Sequence, residues 1–191
     1  MSRVLFLLLL LFCIEVEVAA VPSNDVCEKA ILLNSRVALQ GSTVDATPNS
    51  WVNFCGENFV DSPGIWYVYL TGSSEKVVQV STCAPDTNFD TAVTVYVGDD
   101  CSSLTCTAGK DNDRECDSGT EQHSTVSWIA NAGERYYVLV HGSQSNHTGD
   151  FELITSETDP LGGDPNSSSE IHPSLHWSLL LLPLAVFMIG L

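Results

Sequence analysis

Three carboxylates, Asp90, Asp111 and Asp113, are the residues whose type and spacing come nearest to chemistry. They bracket the run Thr91–Val97, where Thr91, Val93, Val95 and Val97 alternate with Ala92, Thr94 and Tyr96. That period of two sends side chains to opposite faces of a strand. If the three carboxylates converge, each like-charged pair at about 4 Å costs on the order of 4 kcal/mol near a protein surface. A hard cation relieves that cost, and calcium accepts carboxylate and carbonyl oxygens in flexible geometry. The run Asp111-Asn112-Asp113-Arg114-Glu115-Cys116-Asp117 places oxygens at alternate positions, although Cys116 stands where an EF-hand loop needs its sharp-turn glycine. Calcium held by Asp90, Asp111 and Asp113 is one expectation. The other is that Asp and Asn occur here as turn residues, with Asp90 accepting from backbone amides at a strand start.

Catalytic motifs are not found. His123, His141 and His147 lack metal-ligand spacing and stand in no recognisable Ser or Cys nucleophile motif, and His141, at the end of a strand-like run, reads as a packed or surface histidine. Paired carboxylates can serve a glycosidase, but any acidic chain offers such pairs. The chain is therefore read as non-catalytic, with a surface hydrolase using the acidic cluster as the alternative. Trp51, Phe54 and Phe59 lie in the strand-poor stretch Asn49 to Pro63. They form either an aromatic platform for a sugar ring or a plug around Cys55 at one end of the fold. Asn146-His147-Thr148 is a glycosylation sequon between two strand-like runs.

The elements that must position these residues are strands. Ile65–Leu70 alternates Trp66, Val68 and Leu70 against Ile65, Tyr67 and Tyr69, which suits a strand covered on both faces. Further runs follow at Val77–Val80, Thr125–Ile129, Arg135–His141 and Asp150–Thr155, separated by turn residues. No stretch carries a helical period; Asn24 or Asp25 is expected to cap one short turn over Cys27–Ala30. Short strands with Gly-rich turns and no helices predict an all-β sandwich.

The ends of the chain read as addresses. After Arg3, the apolar run Val4–Ile14 is too short to cross a bilayer and has the length of a secretion signal, with small residues Val18 and Ala20 placing a cut before Val21. At the other end, Trp177–Leu191 is apolar without a basic flank, preceded by the small triplet Asn166-Ser167-Ser168 and a polar spacer, Ser169–His176. That order is the signal for a glycosylphosphatidylinositol (GPI) anchor at Asn166. The expected organisation is a signal peptide at 1–20, a β-sandwich at 21–157, a stalk and anchor region at 158–176 and a removed tail at 177–191. Once Cys13 leaves with the signal, Cys27, Cys55, Cys83, Cys101, Cys106 and Cys116 remain, an even number in an oxidising compartment. Three disulfides are expected, paired Cys101–Cys106 across a hairpin, Cys27–Cys55 and Cys83–Cys116. No paired Cys-x-x-Cys elements point to zinc. The chain carries 24 acidic residues against 7 basic ones, a net charge of −17. Such a surface repels nucleic acid and anionic headgroups and attracts divalent cations or basic partners.

Taken in order, Asn24-Asp25-x-Cys27-x-x-Ala30, Trp66-Tyr67-x-Tyr69, Ser81-Thr82-Cys83, Phe89-Asp90-Thr91, Val95-Tyr96, Asp111-Asn112-Asp113, Ser127, Gly133-x-x-Tyr136-Tyr137-x-x-Val140-x-Gly142 and Gly149-Asp150-Phe151 resemble the bacterial pre-peptidase C-terminal domain. The resemblance implies an antiparallel jelly-roll-like β-sandwich that serves secreted and surface proteins as a non-catalytic appendage, sometimes helping to bind polymers or cations. This chain departs from that setting, because no catalytic domain accompanies it. The expectation is a disulfide-stapled, glycosylated, GPI-anchored module on the outer face of a eukaryotic plasma membrane, or a secreted form of it. It would act in binding or adhesion toward an extracellular protein or glycan and not nucleic acid, with calcium as a stabilising cofactor. A carbohydrate-binding domain is the alternative within binding.

Overall fold

A computed structural model describes residues 20–52, 55–56, 61–114, 116 and 122–160. Residues 1–19 of the expected signal peptide, Asn166 and the apolar tail lie outside the described residues, as do Phe54 and Phe59. Nine strands run through the described chain: β1 Ile31–Leu32, β2 Leu39–Ser42, β3 Gly64–Leu70, β4 Lys76–Ser81, β5 Thr91–Val97, β6 Thr105–Asp111, β7 Thr125–Ala130, β8 Arg135–Gly142 and β9 Asp150–Thr158. Among the described residues, no helix is long and apolar enough to cross a membrane.

The pairing is nested about one hairpin. β5 pairs with β6, β4 with β7, β3 with β8 and β2 with β9, all antiparallel. It is as if one long hairpin, folded at the β5–β6 turn, had been rolled up. The added pairs β5·β8 and β4·β9 close the roll into two sheets, ordered β1-β3-β8-β5-β6 and β2-β9-β4-β7. From β2 to β9, every connection except the β5–β6 turn passes from one sheet to the other. This is the jelly-roll sandwich that the sequence predicts. One pair departs from the antiparallel rule, since β1 runs parallel to β3 over two residues.

Burial patterns separate the two sheets. In the four-stranded sheet, β4, β7 and β9 bury Val78, Val80, Val126, Trp128, Phe151 and Leu153 and turn Gln79, Ser127, Ile129 and Ile154 outward. That alternation marks a sheet with one wet face. In β3, β5 and β8 nearly every side chain is buried, so the five-stranded sheet is covered on both faces. Its inner face meets the other sheet through Ile65, Tyr67, Tyr69, Val93, Val95, Tyr136, Val138 and Val140. Its outer face carries a second core of Trp66, Tyr96, Tyr137 and Leu139, closed over by Cys27, Cys55, Ala30 and Val52. Each large apolar side chain taken out of water there contributes about 1.5–3 kcal/mol.

The covering layer consists of the turn Cys27–Lys29 and the chain before β3, and two disulfides hold it. Cys27 bonds Cys101 on the β5–β6 turn, with Cα atoms 5.9 Å apart. Cys55 bonds Cys106 on β6, at 5.2 Å. These overturn the expected pairs Cys27–Cys55 and Cys101–Cys106. The residue opposite Cys106 across the hairpin is Tyr96, so no cysteine faces it there, and both thiols reach outward to the cover instead. Cys83–Cys116 forms as expected. Backbone approaches backbone beneath Cys55: a Cβ on Gly109 would meet the Cys55 carbonyl, and one on Gly56, which holds φ 71°, would meet Gly109. Only glycine fits both positions.

The first turn is capped differently from the sequence expectation. Val26 is the N-cap of Cys27–Lys29 and no side chain bonds there. Asp25 instead accepts from Thr47 N at 2.6 Å and Thr47 Oγ1 at 2.9 Å, and Asn24 Nδ2 donates to the Trp66 carbonyl at 2.9 Å. Both residues tie the cover to its surroundings, which the isolated turn motif does not reveal.

Candidate functional site

The acidic end is built from three strand termini. Asp90 precedes β5, Asp111 ends β6 and Asp113 lies just beyond it. Asp90 Oδ2 sits 3.4 Å from His147 Nδ1, which is also 2.9 Å from Ser143 Oγ, while Ser143 N donates to the Asp90 carbonyl at 3.1 Å. Ser, His and Asp are thus neighbours, but both partners crowd the same ring nitrogen. A relay needs the carboxylate on one nitrogen and the hydroxyl on the other, so this set does not activate Ser143. Asp113 N donates to the His123 carbonyl at 2.6 Å, and Asn112, at φ 60°, donates its N–H to Ser124 Oγ at 3.2 Å.

Among the described residues, one trio of potential metal ligands falls within 4.8 Å: Cys83, Asp113 and Cys116. Its two sulfurs are joined in a disulfide and offer no thiolate. Asp90, Asp111 and Asp113 share an end of the sandwich without closing to that distance. Asp90 Oδ1 is buried and has no hydrogen-bond partner among the described residues.

His141 is packed, one of the two places its position allowed. It is fully buried on β8, with Nδ1 2.8 Å from the Gly142 carbonyl and 3.1 Å from Ser62 Oγ, and Ser62 Oγ donates to that same carbonyl at 2.6 Å. Burial pushes its pKa down to about 4, against the weaker opposing pull of the Gly142 carbonyl and Asp61.

Trp51 lies against a tryptophan of β3. Trp66 is buried on the outer face of the five-stranded sheet, and its indole N–H donates to Asn49 Oδ1 at 2.8 Å. Asn49 is itself buried and fixed, since Nδ2 donates to the carbonyls of Thr47 and Gly64, each at 3.1 Å. Trp51 stacks on Trp66, with centroids 5.6 Å apart and planes inclined by 26°, yet is 56% exposed. The chain beneath it is tied by Val52 N donating to the Asn49 carbonyl and by the Cys55–Cys106 bond. An indole face is therefore presented to solvent on a rigid support. Of the trio Trp51, Phe54 and Phe59, Trp51 lies among the described residues, and Phe54 and Phe59 lie outside them. Asn49 was missed; nothing in the sequence marks it except its place at the start of the strand-poor stretch.

Asn146 is exposed in the β8–β9 connection, accessible to a glycan. No family model and no curated protein matches this chain. Among solved structures, the pre-peptidase C-terminal domain of a collagenase from Bacillus anthracis is similar over 66% of this chain and 94% of that one, at 16% identity and a TM-score of 0.40. CorA, a surface-associated copper-binding protein important in copper acquisition by Methylomicrobium album BG8, is similar over 68% of this chain and 98% of that one, at 8% identity and a TM-score of 0.42. Both are similarities at low identity, and neither says what this chain does.

The buried imidazole sets a pH dependence. With a folded pKa of about 4 against an ordinary 6.5, the unfolded chain binds an extra proton between those values. The neutral-histidine contribution is therefore fully present above pH 6.5 and is lost as pH falls toward 4. Between pH 7 and pH 5 the protein is expected to lose about 2 kcal/mol more stability than His141→Asn. Urea unfolding of both proteins at the two pH values checks this, and equal losses would remove His141 from the acid response.

Proposed function

We propose that this chain is a non-catalytic module displayed outside the cell, and that it binds glycan through Trp51. The observation that carries the reading is the exposed Trp51 ring stacked on buried Trp66. Leaving an indole half in water forgoes burial that a freer loop would recover. Fixing it through Asn49 and a disulfide also removes the ordering cost that a ligand would otherwise meet. A flat, rigid aromatic face suits the apolar face of a sugar ring, and a neutral glycan is not repelled by a strongly acidic surface. Three disulfides fit an oxidising, extracellular setting. A glycan array probed with the secreted domain is expected to show binding that Trp51→Ala weakens at least tenfold, about 1.4 kcal/mol, with unchanged circular dichroism. Undiminished binding by that variant would remove Trp51 from the interface.

Calcium at the acidic end is a second element of the proposal. It is supported by the buried Asp90 Oδ1, a carboxylate oxygen with no protein donor among the described residues, and by the nearness of Asp111 and Asp113 in the same end of the fold. Millimolar calcium should raise the melting temperature by several degrees and a chelator should reverse it, in line with stabilisation by a ligand that binds only the folded state. An unmoved melting temperature would exclude the ion.

Display through a lipid anchor at Asn166 rests on the terminal sequence pattern. Phosphatidylinositol-specific phospholipase C should release the protein from intact cells. Retention on the cells, with full release by detergent, would contradict the anchor.

A further inference from the structure

A second feature of the covered sheet faces solvent without Trp51 in its lining. A groove of about 210 Å³ opens on the outer face beside the Cys27–Lys29 turn, and Val68, Leu70, Tyr137, Glu28 and Arg135 are among the residues that line it. The two charges are not joined in an ion pair. Arg135 is nevertheless held in place: Nη1 donates to the Asp99 carbonyl at 2.8 Å and lies 3.4 Å from the Tyr137 hydroxyl, and its own carbonyl accepts from Gly98 N at 3.2 Å. A guanidinium carries five donors, and Nε and Nη2 make no hydrogen bond among the described residues. The turn that carries Glu28 is fixed to the hairpin tip by the Cys27–Cys101 bond.

The charges around the groove select by sign. A simple anion meets Arg135 but also Glu28, with Asp99 and Asp100 of the hairpin tip close by, in a chain of net charge −17. A simple cation meets Glu28 but is repelled by a fixed guanidinium. A ligand carrying both signs can pair one end with Glu28 and the other with Arg135, and brings no net charge to be repelled. An apolar and aromatic floor favours a cation whose charge is spread over methyl groups, as in a quaternary ammonium beside a tyrosine ring.

We propose that this groove binds a compact zwitterion, a phosphate or carboxylate joined by a short carbon link to a quaternary ammonium, with the anionic end on Arg135 and the ammonium between Glu28 and Tyr137. Phosphocholine has this chemistry, either free or as a lipid headgroup. The site is independent of the glycan reading at Trp51.

Isothermal titration of the intact, disulfide-bonded protein with phosphocholine, choline chloride and inorganic phosphate tests it. Phosphocholine should bind at least tenfold more tightly than either fragment, and Arg135→Gln and Glu28→Gln should each weaken it at least tenfold, while Trp51→Ala leaves it unchanged. Flotation with phosphatidylcholine vesicles, against vesicles of a non-choline neutral lipid, separates a headgroup displayed on a membrane from the free compound. The proposal is overturned if phosphate or choline alone binds as tightly as phosphocholine, if phosphocholine does not bind, or if Glu28→Gln, remote from the Arg135 contacts, has no effect.

Discussion

A sheet buried on both faces, with too few strands to cover both, is the constraint on which this molecule depends. The four-stranded sheet covers the inner face of its partner, leaving Trp66, Tyr96, Tyr137 and Leu139 on the outer face in need of a lid. The lid is irregular chain, and irregular chain has no ladder of hydrogen bonds to hold it flat. Cys27–Cys101 and Cys55–Cys106 supply that restraint over sequence separations of 74 and 51 residues. In the chain-entropy account each bond disfavours the unfolded state by on the order of 4 kcal/mol. Their placement matters as much as their magnitude, because each bond joins the cover to the β5–β6 hairpin about which the whole roll is folded.

Both candidate binding features follow from this arrangement. Trp51 projects because the cover beneath it is already filled by Trp66, Asn49 and Cys55. The groove beside Arg135 lies where the Cys27–Lys29 turn meets β3 and β8. Neither feature lies in the inner core, so changes at the surface of the cover can alter recognition while leaving the sandwich intact. The acidic end is separate: its residues terminate strands and bond backbone, with Cys83–Cys116 securing the loop that follows β6.

How much of this was legible in the sequence depends on the faces of each strand. β5 was read with its observed bounds, and β3, β4, β7, β8 and β9 within a few residues, because alternating or continuous apolar residues report burial directly. β6 was invisible: Thr-Cys-Thr-Ala-Gly-Lys-Asp has no apolar period, since it is an edge strand whose side chains are largely exposed and whose register slips at Val95/Tyr96. Missing β6 is also why two disulfides were misassigned. A Cys101–Cys106 bond needs the two cysteines to face each other across a hairpin, whereas β6 sets Cys106 opposite Tyr96 and its thiol bonds Cys55. β1 and β2 were too short to show a period. That Trp51 stacks on Trp66 depends on a contact from β3 that no local pattern encodes.

Peptide mapping of the non-reduced protein by mass spectrometry tests the central claim most directly. It should recover cross-linked peptides joining Cys27 to Cys101, Cys55 to Cys106 and Cys83 to Cys116. A peptide closed between Cys101 and Cys106, or one joining Cys27 to Cys55, would leave the outer sheet without its clamp and contradict the account.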